Sequence, residues 1–277
     1  MHTAKAELLD CLEKNNLLES SLLVGQVQDS AFTIKRYLET IQSAIEQVRY
    51  RCKNHSHDLI NVIDAINHVV FRTLGVEGKS DRYKQVIDDP NRYYLHLVLE
   101  KKVASPLAVA ILYCIFADAM GLTYECLALP SYYLIRLQSG AADFYVDVFD
   151  GGKILSQEDF QKRFKSALHK SRMLSANLFE KVTTTQLVAR LIQQLKHIYI
   201  LKSQAVEALR AVELLTALFP ENPELTRDRG ILYCEMECFS KAVDDLKKYL
   251  EKRPQAEDVQ EIKKLTQMLK GYREIVN

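Results

Sequence analysis

Apolar residues recur at helical spacing through most of the first 75 residues. In the segment FTIKRYLETIQSAIEQVRYRC they stand at positions 32, 34, 38, 41, 45 and 48, a period close to 3.6. The segment DLINVIDAINHVVFRTLG repeats the pattern and ends at Gly75, a residue favoured just after a helix. A polar stretch with a turn at Asp89 and Pro90 follows. The pattern therefore predicts a helical N-terminal region that ends near residue 75.

The pattern then changes from one long apolar helix to short strands. The segment SPLAVAILYCIFADAMG is apolar on almost every side, with Ser105 at the N-cap, Pro106 at the first position and Gly121 at the end. Such a helix is expected in the core. The segments TYECLAL, YYLIRL and DFYVDVF are predicted strands, and the last two form a hairpin about Gly140. Helical spacing returns from about Ser156.

The predicted hairpin brings two polar residues together. Folding about Gly140 places residue 132 opposite residue 148, within one position, so Tyr132 and Asp147 are expected to be neighbours at its open end. The helix that begins at Pro106 is a candidate to lie across that end. A helix N-terminus beside two strands is the layout of a thiol triad, in which a histidine activates a cysteine and an acid orients the histidine.

The C-terminal part of the chain repeats itself with an offset of 34 residues. The offset aligns Tyr199 with Tyr233, Ala208 with Ala242, Val212 with Leu246, Leu215 with Tyr249 and Pro220 with Pro254. A small residue between two helices and a proline after the second are typical of tetratricopeptide repeats. Two repeats are fewer than the roughly three that a stable stack needs. We therefore expect them to pack against the rest of the chain or against a final helix, DVQEIKKLTQMLKGYREI.

These motifs, in this order, resemble the bacterial SirB-type family, in which a transglutaminase-like domain precedes tetratricopeptide repeats. In that family the long helix starts with roughly Glu-Arg-Arg-x-Gly-x-Pro-Ile-Ser-Leu. The two hairpin strands contain Pro-Gly-His-Phe-Leu-Val-Arg and Ile-Asp-Pro-Phe-x-Gly-Gly. A repeat helix often reads Arg-Asp-Arg-Gly-Leu-Leu-Tyr, and residues 227–233 here read RDRGILY. The resemblance extends from about residue 60 to residue 254.

The resemblance implies a mostly helical α+β protein with two domains. Residues 1–165 would form a helical N-terminal region and a transglutaminase-like, papain-like domain, which packs a helix against a small antiparallel sheet. Residues 166–277 would form a helical region with two tetratricopeptide-like repeats.

The chain departs from the family pattern at the residues that would carry thiol chemistry. Tyr132 stands where the family has histidine, and Ala104 stands in place of the glycine before the helix. Ala108 replaces the small polar residue after the proline, and no cysteine stands near the helix start. A phenol titrates near ~10 and is too weak a base at neutral pH. We therefore expect no catalytic residues in the degenerate cleft, which consists of Ser105, Ala108, Tyr132 and Asp147.

Two alternatives stay open at this cleft. Ser105 is either the N-cap of the long helix or the replacement nucleophile of a hydrolase or acyl transferase that also uses Tyr132 and Asp147. Asp147 stands between two valines, so a buried carboxylate there needs a partner. Either Tyr132 or a backbone donor would serve.

Composition narrows the classes of partner, compartment and bound group that remain possible. The net charge of +1, with both signs interspersed, does not favour a nucleic-acid partner. No apolar run approaches the ~18 residues of a membrane span, and six scattered cysteines indicate reduced thiols and a cytoplasmic protein. The pairs His55 and His57, and Cys234 and Cys238, have no further ligands at metal-binding spacing. We expect neither a metal site nor a cofactor.

The sequence therefore favours a non-catalytic adaptor that binds a protein or peptide. Tetratricopeptide repeats usually present the first helix of each repeat to a groove. The polar residues expected there are Gln193, Lys196, Arg227 and Glu235. Their mixed charge suits a short peptide. The alternative is that the final helix fills the groove.

Overall fold

The structure is a computed structural model. It describes residues 2–29, 33–53, 58–77, 89–129, 132–139, 142–173 and 182–276. The chain divides into two compact units, residues 1–188 and residues 189–277, and each is described by itself.

The first unit begins with helices where the apolar spacing predicts them. They are α1 (His2–Glu13), α2 (Leu17–Gln28), α3 (Ile34–Cys52) and α4 (Leu59–Asn67), and α4 continues directly into a π-helix, His68–Thr73. Side-chain caps start two of them, because Asn16 accepts a hydrogen bond from the N–H of Glu19, and Asp58 from that of Ile60. Gly75 follows with φ of +66°, which a glycine adopts without strain.

The long apolar helix lies in the core, as predicted. A 3₁₀ turn (Pro90–Arg92) and α5 (Leu95–Lys101) lead to α6 (Pro106–Ala119), which is buried continuously from Pro106 to Ala117. The predicted cap is confirmed, since Ser105 Oγ accepts a hydrogen bond of 3.1 Å from the N–H of Ala108. Gly121 ends the helix with φ of +68°.

A four-stranded antiparallel sheet follows, in the order β1-β2-β3-β4. The strands are β1 (Tyr124–Leu129), β2 (Tyr132–Ser139), β3 (Ala142–Asp147) and β4 (Lys153–Leu155). Ile135 pairs with Val146, so position 132 faces position 149, within one residue of the predicted register. A 3₁₀ turn (Val148–Asp150) links β3 to β4. The sequence did not predict β4, because three residues are too few to show alternation.

Helix α7 (Gln157–Met173) packs against β3 and β4. The ring of Phe160 stacks on Tyr145 with a centroid distance of 4.2 Å, in a cluster with Leu127, Leu134 and Leu155. The expected domain boundary between residues 165 and 166 falls inside α7. Because α7 packs on the sheet, the compact units divide later, between residues 188 and 189.

The second unit contains two helix pairs and a final helix. After α8 (Thr184–Leu201), which enters the unit from the first, come α9 (Ala205–Leu218), α10 (Pro223–Glu235), α11 (Phe239–Lys252) and α12 (Val259–Val276). Ala208 and Ala242 are fully buried, as small residues at helix crossings should be. Ile262 and Leu269 of α12 join Ala242 in one apolar cluster. Of the two expected packing partners for the repeats, the final helix is confirmed.

Two predictions from composition concern membrane spans and the state of the thiols. Within the described ranges, every helix is too short or too polar to cross a lipid bilayer. All six cysteines are free thiols, and Cys11, Cys52, Cys114 and Cys126 are buried. Cys234 of α10 and Cys238, just before α11, are half-buried.

Candidate functional site: the Tyr132–Asp147–Arg163 cluster

The open end of the hairpin holds a buried carboxylate with several donors. The hydroxyl of Tyr132 lies 2.7 Å from both carboxylate oxygens of Asp147 and donates its proton to them. Arg163 of α7 places Nη1 2.8 Å from Asp147 Oδ2, and its Nη2 donates to the Tyr132 hydroxyl at 3.1 Å. The N–H of Asp150 donates to Asp147 Oδ1 at 3.0 Å. Asp147 is 0% exposed, so its charge is balanced inside the fold.

Tyr132 acts as a donor in this cluster. Burial, followed by the hydrogen bond to Asp147, raises the pKa of Tyr132 above the ordinary value for a phenol. The expected neighbour relation between Tyr132 and Asp147 is confirmed. A general base should have a pKa near the working pH, and the raised pKa of Tyr132 is far above it.

The start of α6 carries the other two predicted cleft residues. Ser105 is 1% exposed, and its hydroxyl accepts the hydrogen bond from Ala108 that caps the helix. Its backbone N–H donates to the carbonyl of Arg92 at 2.9 Å. Cys114 lies two turns into α6, fully buried, where burial raises the pKa of its thiol. A thiol in that environment is not ionised for nucleophilic attack.

Side chains of α7 cover the cluster. Phe164 packs against Tyr132 at a centroid distance of 5.5 Å, and Phe149 meets the same ring edge-on at 6.1 Å. The guanidinium of Arg163 lies 5.7 Å from the centre of the Tyr132 ring. Arg163 is 37% exposed in its side chain, so it closes the cluster towards solvent.

A cleft of about 670 Å³ lies next to the turn that follows β3. We call it the Asn67 cleft; residues 64–77 line one wall and residues 149–151 the other. At its base, Asn67 Nδ2 donates to the carbonyl of Gly152 at 2.8 Å, and Asn67 Oδ1 accepts from Tyr113 at 3.2 Å. A Cβ atom on Gly152 would lie 1.8 Å from Asn67 Oδ1, which explains the glycine at this position.

The family of the chain is shown by sequence profiles. The profile of the transglutaminase-like superfamily matches residues 35–193, more than half of the 277 residues. The chain belongs to the transglutaminase-like superfamily. A tetratricopeptide repeat profile matches residues 195–267, in the second unit. The Tyr132–Asp147–Arg163 cluster and the Asn67 cleft therefore lie in the transglutaminase-like part of the chain.

Three relatives are similar to the chain at modest sequence identity. The chain is 26% identical over 247 residues to a UPF0162 protein of Xylella fastidiosa strain Temecula1, covering 88% of this chain and 86% of that protein. It is 24% identical over 162 residues to Protein SirB1 of Salmonella typhimurium, covering 58% and 60%. F-box only protein 21 of Mus musculus is 26% identical over 181 residues, covering 62% and 28%. The resemblance to the SirB-type family is confirmed.

In the tetratricopeptide region, an ion-pair array joins the helices. Lys196 Nζ lies 2.7 Å from Asp228 Oδ2, and Arg227 bridges Asp228 and Asp258 with distances of 2.8 Å to each. Tyr249 donates to Asp258, and this bond, with those from Arg227, lowers the pKa of the carboxyl. These ion pairs form a network between the repeat helices. Two of the four predicted groove residues, Lys196 and Arg227, take part in this network.

The other two groove residues, Gln193 and Glu235, are exposed on α8 and α10. The groove itself stays a prediction. No group of three or more metal-ligating side chains occurs within the described part of the chain. His55, His57 and Ser131 lie outside the described residues.

Sequence reasoning missed Arg163 and Asn67. Arg163 follows Phe160 by three residues in α7, on the helix face next to the one that packs on the sheet, but nothing local indicates a buried acid opposite it. For Asn67 there was a signal, the pair Gly151 and Gly152, because adjacent glycines after a strand often mark a close approach of another segment.

Proposed function

We propose that this protein is a non-catalytic protein-interaction protein, built on a degenerate transglutaminase-like domain with tetratricopeptide repeats. The combination of the two domains fits an adaptor-like role. The observation that carries the proposal is the position of Tyr132. It donates to Asp147 where the family resemblance puts a histidine, and Arg163 fills the remaining side of the carboxylate.

The chemistry of the cluster supports a structural role for Asp147. In a triad the acid orients a histidine, which takes a proton from the nucleophile. Here the acid receives hydrogen bonds from a phenol, a guanidinium and a backbone N–H, so its oxygens are already engaged. The loss of general-base help alone would lower the reaction rate by roughly 10²–10⁴-fold. The covalent route would be lost as well.

The alternative, a hydrolase or acyl transferase that uses Ser105, Tyr132 and Asp147, has weaker support. Ser105 is buried and its hydroxyl caps α6, so attack on a substrate would break the cap. Tyr132 holds its proton for Asp147 and does not accept one from a serine. The proposal therefore gives none of these residues a catalytic role, and it includes no cofactor.

The proposed partner is a protein or peptide rather than a nucleic acid. Tetratricopeptide helices expose side chains to a groove, and the basic residues Lys196 and Arg227 are paired with acids inside the fold. Six free thiols are consistent with a reducing compartment, so we place the protein in the cytoplasm.

The inert cleft is tested with activity probes. Full-length protein is treated separately with a fluorophosphonate and with iodoacetamide, and labelled peptides are identified by mass spectrometry. We expect no fluorophosphonate on Ser105 and no iodoacetamide adduct on Cys114 in the folded protein. Stoichiometric fluorophosphonate labelling that Ser105→Ala abolishes would overturn the proposal.

The interaction role is tested by photo-crosslinking. A benzoyl-phenylalanine is placed at Gln193 or Glu235, with the exposed Gln47 of α3 as the control position. We expect the same protein adduct at both repeat positions and none at the control. Equal adducts at all three positions would place the interaction elsewhere or show it to be nonspecific.

A further inference from the structure

Arg92 is a buried cation that pairs with no acid of the described residues. It lies at the end of the 3₁₀ turn before α5 and is 8% exposed. None of the ion pairs in the described ranges includes it, and its buried Nη1 donates to no acceptor there. By contrast, the half-buried Arg136, Arg227 and Arg229 each meet a carboxylate within 2.8 Å.

A buried arginine of this kind destabilises the fold on its own. The guanidinium keeps its charge in proteins at every ordinary pH, so it does not escape the cost of burial by losing a proton. A charge that is removed from water without a partner lowers the stability of the folded state. A carboxylate offsets that cost, because its two oxygens match the fork of the guanidinium. Arg92 is therefore complementary to an anionic ligand.

The start of α6, which adjoins the backbone of Arg92, favours an anion as well. The N–H of Ser105, the N-cap of this 14-residue helix, donates to the carbonyl of Arg92 at 2.9 Å. Ser105 Oγ accepts the N–H of Ala108, and Pro106 has no N–H to donate. The N–H of Leu107, a residue 2% exposed, finds no acceptor in the described part of the chain. The positive end of the helix dipole adds to the attraction for an anion.

We propose that Arg92, at the start of α6, binds a carboxylate of the protein partner. Arg92 supplies the charge, and the first turn of α6 supplies the helix dipole and one N–H. Because little of Arg92 is exposed, a carboxylate on a short methylene stem is the oxyanion that suits the site. This inference rests on the proposed function, because it supplies the chemistry by which the adaptor recognises a partner. Free carboxylate ions share that chemistry, so the test includes acetate.

The first test measures the stability of the full-length protein without any ligand. Arg92→Met removes the unpaired charge and keeps an unbranched side chain, so it should raise the melting temperature by about 2 °C or more. Arg51→Met makes the same change at an exposed position of α3 and should leave the melting temperature nearly unchanged. A lower melting temperature for Arg92→Met would show that Arg92 stabilises the fold, which would overturn the inference.

The second test measures binding by NMR in the ¹⁵N-labelled full-length protein. The probe is a capped pentapeptide with one central glutamate between alanines and glycines, and the matched peptide has glutamine instead. We expect the glutamate peptide to shift the amide signals of Arg92, Ser105 and Leu107. It should bind about fivefold or more tightly than the glutamine peptide, because only the carboxylate pairs with a guanidinium. Arg92→Met should abolish this preference, and Arg51→Met should keep it.

Acetate distinguishes the two sources of a carboxylate. It should shift the same amide signals but bind more weakly than the glutamate peptide, since it lacks the flanking backbone. Acetate that binds as tightly as the peptide would overturn the assignment to a protein partner. Equal binding of the two peptides, or shifts confined to other residues, would overturn the site itself. These results leave the proposed function standing, because the activity probes and crosslinks test it separately. Conversely, Ser105-dependent labelling would overturn the non-catalytic role whatever the peptides do.

Discussion

At the scale of single residues, Asp147 shows how the fold accommodates a fully buried carboxylate. A buried carboxylate costs several kcal/mol unless donors replace its water. Tyr132, Arg163 and the N–H of Asp150 supply those donors. Asp147 also caps the turn that leads to β4, so its removal would disturb both the cluster and the chain path.

Asp147→Asn should lower the free energy of unfolding by about 1–3 kcal/mol. The asparagine side chain lacks the charge that pairs with Arg163. Its NH₂ group is itself a donor and would face a hydrogen-bond donor on at least one side. Asp244→Asn, at an exposed position of α11, is the control and should change stability little. Urea unfolding followed by circular dichroism measures both. Superimposable curves for wild type and Asp147→Asn would contradict the structural role.

At the scale of elements, Gly152 lets the end of the sheet meet α4. Its φ of +79° disfavours a side chain, and the contact with Asn67 leaves no room for one. The hydrogen bond from Asn67 to its carbonyl joins the turn before β4 to the junction of α4 and the π-helix. Through Tyr113 the same asparagine reaches α6, so three elements depend on one amide.

Gly152→Ala should destabilise the first unit more than Gly121→Ala. Both glycines have positive φ, which costs an L-residue about 1–2 kcal/mol, but a Cβ at Gly121 meets nothing within 4 Å. At Gly152 the methyl also displaces Asn67, which adds about 1 kcal/mol for each of its two hydrogen bonds. Thermal and urea unfolding compare the two variants. Equal losses would show that Asn67 moves aside without cost.

At the scale of the whole molecule, each compact unit has a core of its own. In the second unit α12 supplies the third layer that two repeats lack, by packing Ile262 and Leu269 into the Ala242 cluster. The ion pair between Arg227 and Asp258, the residue just before α12, also links this end of α12 to α10. The repeats therefore complete their stack within residues 189–277.

A fragment of residues 182–277 should fold on its own, and a fragment of residues 182–257 should not. The first keeps the start of α8, where Thr183 and Gln186 cap each other, and it keeps α12. The second exposes the apolar cluster around Ala242. Cooperative urea unfolding of the longer fragment is the expected result. Aggregation of the longer fragment, or cooperative unfolding of the shorter, would contradict this role for α12.

Local patterns in the sequence were enough to predict most helices and strands. They also predicted one pair of neighbouring residues in the candidate site. Helical spacing, Ser105 and Pro106 at the start of α6, and the register of the hairpin depend on neighbours a few residues apart. The register in turn predicted that Tyr132 meets Asp147, since strands joined by a short turn leave few alternative pairings. The 34-residue repeat was equally readable because each repeat is a local unit.

Only the tertiary structure decided which distant residues complete these local pieces. Arg163 comes from α7 to Asp147, and Asn67 comes to Gly152 across 85 positions of sequence. Helix α7 packs on β3 and β4, so the expected boundary at residue 165 falls inside an element that belongs to the sheet. Such contacts depend on how whole elements pack, and residue periodicity carries no information about which element lies opposite. The sequence by itself determined most of the elements and the chemistry they carry, and the packing determined which distant groups meet.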